Sequence, residues 1–134
     1  MLEILDAPDH VGAYRLSGTL TEEDYEKVIA DLEARLGRYE RIGIVADLSG
    51  FHDVTVRAGL MDLRYSFSKL FDLKRFPREA LITDKQWLAS MAQMMNPIVP
   101  FVEIRAFKSG EQQEALAWAA DIDPGTRARA DSVI

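Results

Sequence analysis

The chain has 134 residues, 48% hydrophobic and 28% charged, with a formal net charge of −6. That is one domain, large enough for a core and ordinary in composition for a soluble protein. It has no cysteine, which excludes a disulfide framework, thiolate chemistry and a zinc–thiolate site, and its acidic balance argues against general nucleic-acid binding.

The N-terminus Met1-Leu2-Glu3-Ile4-Leu5-Asp6 lacks a basic region and a long apolar run, so no signal peptide is expected. No apolar stretch approaches the ~20 residues that span a bilayer. A cytoplasmic protein is expected. Its charge is uneven. Glu3, Asp6, Asp9, Glu22, Glu23, Asp24, Glu26, Asp31 and Glu33 face only Arg15 and Lys27 in the first part of the chain. Arg64, Lys69, Lys74, Arg75 and Arg78 face only Asp72 in a later stretch.

Leu2 to Leu5 reads as a short strand, Ala7-Pro8-Asp9-His10 as a turn with His10 exposed, and Val11 to Ser17 as a second strand in a hairpin with the first. Thr21 opens a helix, with Asp24 three residues on as a weak form of the capping box. Tyr25, Val28, Ile29, Leu32, Leu36 and Tyr39 share one face of it. Glu23–Lys27 and Asp31–Arg35 can support its wet face, and Gly37 suits its stop.

The apolar run Ile42 to Asp47 fits a central parallel strand, and Ser49 to Asp53 is the loop after it. A second helix is expected from about Thr55 to Phe71, with Val56, Leu60, Leu63, Phe67 and Leu70 inward. Ala80 to Thr83 is the next strand. Asp84 can cap a third helix, which Pro97 and Pro100 end. Val102 to Phe107 alternates as a half-exposed edge strand does. Ser109 with Gln112 reads as a capping box for the last helix, with Ala115, Leu116, Ala119 and Ile122 buried.

The resulting order, β-β-α-β-α-β-α-β-α, predicts a single α/β domain over residues 1–122. It would hold one mostly parallel five-stranded sheet, an antiparallel first strand, right-handed crossovers and four helices. Residues 123–134 are small and polar and are expected to form a flexible tail.

Several segments together carry a family resemblance: Val11-Gly12-Ala13-Tyr14-Arg15-Leu16-Ser17-Gly18-Thr19-Leu20-Thr21 with Asp24-Tyr25, then Val45-Ala46-Asp47-Leu48-Ser49, Thr83-Asp84-Lys85-Gln86-Trp87-Leu88, and Glu114-Ala115-Leu116-Ala117-Trp118. With the element order, they resemble the STAS domain of anti-sigma-factor antagonists, and more closely the SpoIIAA-like (STAS/SEC14-like) proteins, over roughly residues 1 to 120. For the phospho-regulated members, the resemblance implies a serine in Asp-Ser-Ser/Thr-Gly after the central strand. Matching the following Gly-Leu to Gly59-Leu60 puts Ala58 before it and Val56 in place of the acid, so the phosphoacceptor is missing on that match. Ser49 or Thr55 is the looser candidate for a regulatory position. The Sec14 side of the resemblance implies an apolar ligand between mobile helices.

Trp87 to Phe101 is uncharged and holds Met91, Met94 and Met95, three of the five methionines. An apolar stripe at this spacing packs on a sheet in most helices, and methionine is also the side chain that repacks around variable partners. Both readings stay open. On the ligand reading, Trp87, Met91, Met94, Met95, Ile98 and Phe101 line an apolar surface, faced by Leu60, Leu63, Phe67 and Phe71 of the second helix. Lys69, Lys74 and Arg75 would hold an anionic head group or a membrane surface, each charge contributing about 1 kcal/mol. A homodimer contact is a third use of the same run.

Catalysis has one candidate, His52 between Asp47 and Asp53 in the loop after the central strand. No nucleophile motif, phosphate loop or metal-ligand spacing accompanies it, and Asp47 at a strand end is suited to capping the next turn. The expectation is a non-enzymatic domain without cofactor or metal. It would bind an apolar small molecule or sit peripherally at a membrane; the competing expectation is a protein-interaction module of the anti-sigma-factor-antagonist type.

Overall fold

The computed structural model describes residues 2–18, 21–50, 73–84, 86 and 102–125. Five strands form one sheet in chain order: β1 (Leu2–Ile4), β2 (Val11–Ser17), β3 (Gly43–Gly50), β4 (Arg78–Ile82) and β5 (Glu103–Phe107). β1 runs antiparallel to β2, and the pairs β2–β3, β3–β4 and β4–β5 are parallel, so the sheet is mixed. Helix α1 (Glu22–Arg38) follows β2, and helix α2 (Gln112–Ala120) follows β5. The helices expected over Thr55–Phe71 and Trp87–Phe101 lie outside the described residues.

The two faces of the sheet carry separate cores, because successive side chains in a strand point to opposite sides. On one face Tyr14, Leu16 and Leu48 pack with Val28, Leu32 and Leu36 of α1, together with Ile42 and Phe76. On the other, Val11, Ala13, Val45, Ala80, Ile82 and Phe107 pack with Ala115 and Ala119 of α2. Small residues let α2 approach closely. A Cβ on Gly43 would overlap the Ala119 carbonyl, so glycine there is a condition of that contact.

The start of α1 is as expected. The Thr21 hydroxyl accepts the Asp24 N–H at 3.1 Å, and the Asp24 carboxylate accepts the Thr21 N–H at 3.2 Å. The end differs. Gly37 lies within the helix, and its φ is not positive. Arg75 supplies the termination instead: its Nη2 donates to the Leu36 and Tyr39 carbonyls at 2.8 and 3.0 Å, and its Nε to Glu40 O at 2.8 Å. Three carbonyls near the helix end thereby gain a charged donor. Arg78, three residues on, does the same on the opposite face, donating Nη1 to Trp118 O of α2 at 2.9 Å with its guanidinium over the Trp118 ring.

Asp31–Arg35 was expected on a wet face. It is an ion pair of 2.8 Å, but it sits partly buried against the sheet, where Asp31 also accepts the Tyr14 hydroxyl. Burial first, and then the neighbouring Asp31 carboxylate, raise the Tyr14 pKa. Glu23–Lys27 is the exposed pair, at 3.9 Å.

His10, expected to be exposed, is half-buried and bonds through Nε2 to Ala120 O at 2.8 Å. Asp123 and Pro124, at the start of the segment expected as a tail, accept bonds from Arg41, whose N–H donates to Pro124 O and whose Nε donates to Asp123 O, each at 2.8 Å.

The capping box expected at Ser109 and Gln112 is built from their neighbours. Ser109–Glu111 is a 3-10 turn in which Lys108 N–H donates to Glu111 Oε1 and Glu111 N–H to Lys108 O. Asp84 Oδ1 takes the Ser109 N–H at 3.0 Å, which leaves Gln112 free for a contact elsewhere.

Candidate functional site

Ser49 and Gly50, expected in a loop, extend β3 past Asp47. The ladder to β2 slips here: Arg15 pairs with Asp47 and Ser17 with Gly50, so two steps on β2 span three on β3. That is a bulge, a device found where a strand re-aims its side chains near a site. An extra residue leaves a backbone N–H without its ladder partner. Asp47 supplies one: its Oδ1 accepts the Ser49 N–H at 3.0 Å and the Ser49 hydroxyl at 2.6 Å. Asp47 takes the amide two residues on, as a turn cap does, but it does so from within β3 and not from the end of the strand as expected. Gly50 allows close approach, since a Cβ there would stand 2.9 Å from the Ser17 Cβ.

The second oxygen, Asp47 Oδ2, accepts Arg15 Nε at 3.1 Å. The Asp47 side chain is only 5% exposed, whereas that of Arg15 is 40% exposed. Burial alone would raise the Asp47 pKa, but the Ser49 hydroxyl and amide, together with Arg15, outweigh it and hold the carboxyl below its ordinary value. Arg15 has two further partners: Nη1 donates to Glu3 Oε2 of β1 at 2.7 Å, and Nη2 to Gln112 Oε1 of α2 at 3.3 Å. A planar five-donor fork can serve three acceptors at once. β1, β2, β3 and α2 therefore meet at one guanidinium.

Asp84 lies just past the end of β4, and its bond from the Ser109 N–H lowers its pKa. The ends of parallel strands are where open α/β sheets place their sites. Here that edge carries the Asp47–Gly50 bulge, Asp84, and the 3-10 turn that leads into α2.

Of the residues expected to form a site, Ser49 lies in this cluster. Lys74 is exposed in the 3-10 turn Leu73–Arg75, and the guanidinium of Arg75 is engaged with the carbonyls at the end of α1. Thr55, Leu60, Leu63, Phe67, Lys69, Phe71, Trp87, Met91, Met94, Met95, Ile98 and Phe101 lie outside the described residues, as does His52. Arg15 was not singled out from the sequence. Its sequence signal is a lone charge in a mostly apolar strand; its pairing with Asp47 arises only across the β2–β3 ladder. Among the described residues no helix is long and apolar enough to cross a membrane.

Comparison with known proteins agrees with this fold. None of the curated proteins matches the chain. The sheet and its helices are similar to the crystal structure of an uncharacterised protein from the DUF3478 family, with a SpoIIAA-like fold, from Shewanella loihica PV-4. The identity is 25%, the match covers 90% of this chain and 93% of that one, and the TM-score is 0.61. The SpoIIAA-like family model matches residues 11–120, from the first residue of β2 to the last of α2, and the chain belongs to the SpoIIAA-like family.

Proposed function

We propose that this protein is a non-catalytic, regulatory interaction module of the anti-sigma-factor-antagonist type, which presents the carboxyl-end edge of its sheet to a protein partner. The observation that carries this reading is the bulge at Asp47–Gly50. A buried carboxylate holds an ordered, half-exposed turn there, with both oxygens committed to Ser49 and Arg15. A general base needs a lone pair directed at substrate, whereas this carboxylate is used to shape a surface. Family membership supports the same class of role.

A photo-crosslinking residue in place of Asp84 tests the edge, with the same residue in place of Arg38, at the opposite end of the sheet, as control. In host extract a discrete adduct from position 84 and none from 38 is expected. Adducts from neither position, or equally from both, sink the reading. Phosphate labelling by host kinases separates a switched module from an unswitched one, with Ser49 and Thr55 as the sites to map. At Ser49 the added dianion would displace the hydroxyl from Asp47 and stand beside its carboxylate, so modification there would undo the turn.

A second reading rests on the uncharged run Trp87 to Phe101. It has the composition of a surface that takes an apolar small molecule or lies on a membrane, with Lys69 and Lys74 toward an anionic head group. It expects an apolar molecule to co-purify in native mass spectrometry and liposomes of anionic lipid to sediment the protein. Failure of both ends that reading.

A further inference from the structure

We infer that Arg15 couples the bulge after Asp47 to the start of α2 and to β1, so that a change imposed at the Asp47–Ser49 turn is felt at both. Its regulatory use rests on the interaction reading above; the coupling itself belongs to the free protein.

Nε of Arg15 holds Asp47, Nη1 holds Glu3 and Nη2 holds Gln112. Because the guanidinium is planar and rigid, these bonds cannot be adjusted one at a time; a rotation that follows one partner misaligns the other two. Asp47 is buried and pinned by Ser49, whereas Arg15 is substantially exposed, so Arg15 is the member that can move and be rehydrated. Any event that draws the Asp47 carboxylate or the Ser49 hydroxyl aside takes the fork with it. The ends that it releases have few large buried side chains. β1 has three residues, and the first turn of α2 has Ala115 in the core and Asp84 on Ser109 as the neighbouring tie, whereas the far end of the helix is held by Trp118 on Phe107, Arg78 on Trp118 and His10 on Ala120. Segments with few buried apolar contacts open locally more readily than the rest of a fold. The two far contacts lie 97 and 12 residues from Arg15 in sequence, so the route is tertiary.

The test is amide hydrogen exchange on the full chain without partner, for Ser49→Ala and Asp47→Asn, each with Arg15 intact and with Arg15→Gln. Ser49→Ala is the mild probe and keeps the assay informative should Asp47→Asn fail to fold. With Arg15 present, Ser49→Ala is expected to lower protection at Leu2–Leu5 and Gln112–Leu116 by about threefold or more, a size usual for directly networked residues. With Arg15→Gln the same substitution is expected to leave both segments unchanged relative to that background. Arg15→Lys, a point charge on a flexible stem, should behave as Arg15→Gln does. An effect confined to residues 47–50 with Arg15 present, or a distant effect that persists without Arg15, overturns the coupling. Neither result touches the interaction reading, which the crosslinking decides separately.

Discussion

Asp47 shows how a single residue can be both buried and charged. A carboxylate out of water must find donors, and this one finds three: the Ser49 amide, the Ser49 hydroxyl and Arg15 Nε. Because these hold its folded pKa below the unfolded value, its contribution to stability is complete above the ordinary carboxylate value of about 4, and it is lost as the pH falls through the lower folded value. Asp47→Asn should therefore lower the urea midpoint at neutral pH and flatten its fall below about pH 4. An acid limb with the wild-type slope in the variant would show that other carboxylates govern it. The role of Asp47 was legible from its place at the end of an apolar run. Its partner was not, because Arg15 and Asp47 become neighbours only when β2 and β3 pair.

Among the elements, α1 separates local from non-local control. Its start is written within four consecutive residues, since a hydroxyl and a carboxylate three positions apart reach each other's backbone N–H at any helix N-terminus. Its inward stripe follows from the helical period, and Val28, Leu32 and Leu36 are buried as expected. Its end comes from Arg75, in the segment before β4. Arg75→Ala should destabilise the fold by about 1–3 kcal/mol, the range for removing charge-assisted bonds to partly buried carbonyls, as read from urea unfolding. A change below about 0.5 kcal/mol, the size usual for a surface substitution, would show that water replaces the guanidinium without loss. α2 is the converse case. Its start looked like a local capping box, yet Asp84 takes the Ser109 amide and Arg15 takes the Gln112 side chain. Local cap chemistry and the neighbouring strands divide this start between them: the local box closes one residue earlier, between Lys108 and Glu111, and the neighbours take Ser109 and Gln112.

For the molecule as a whole, the sequence by itself determined the α/β class, the five strands with their antiparallel first member, and the apolar face of α1. Those follow from local periodicities of two and 3.6 residues and from turn chemistry. The resemblance to the SpoIIAA-like family was legible for the same reason, since segments such as Val45 to Ser49 are contiguous. Only the tertiary structure decided which charges pair. It turned Arg75 and Arg78 from members of a basic stretch into caps on α1 and α2, one on each face of the sheet. It brought His10 and Arg41 onto the end of α2 and the residues after it, and it gathered Glu3, Asp47 and Gln112 around Arg15. Hydrophobic burial is non-directional and depends on spacing along the chain, so a pattern reveals it. A hydrogen bond or ion pair depends on ångström-scale distance and direction between groups remote in sequence, and these exist only once the strands have chosen their register.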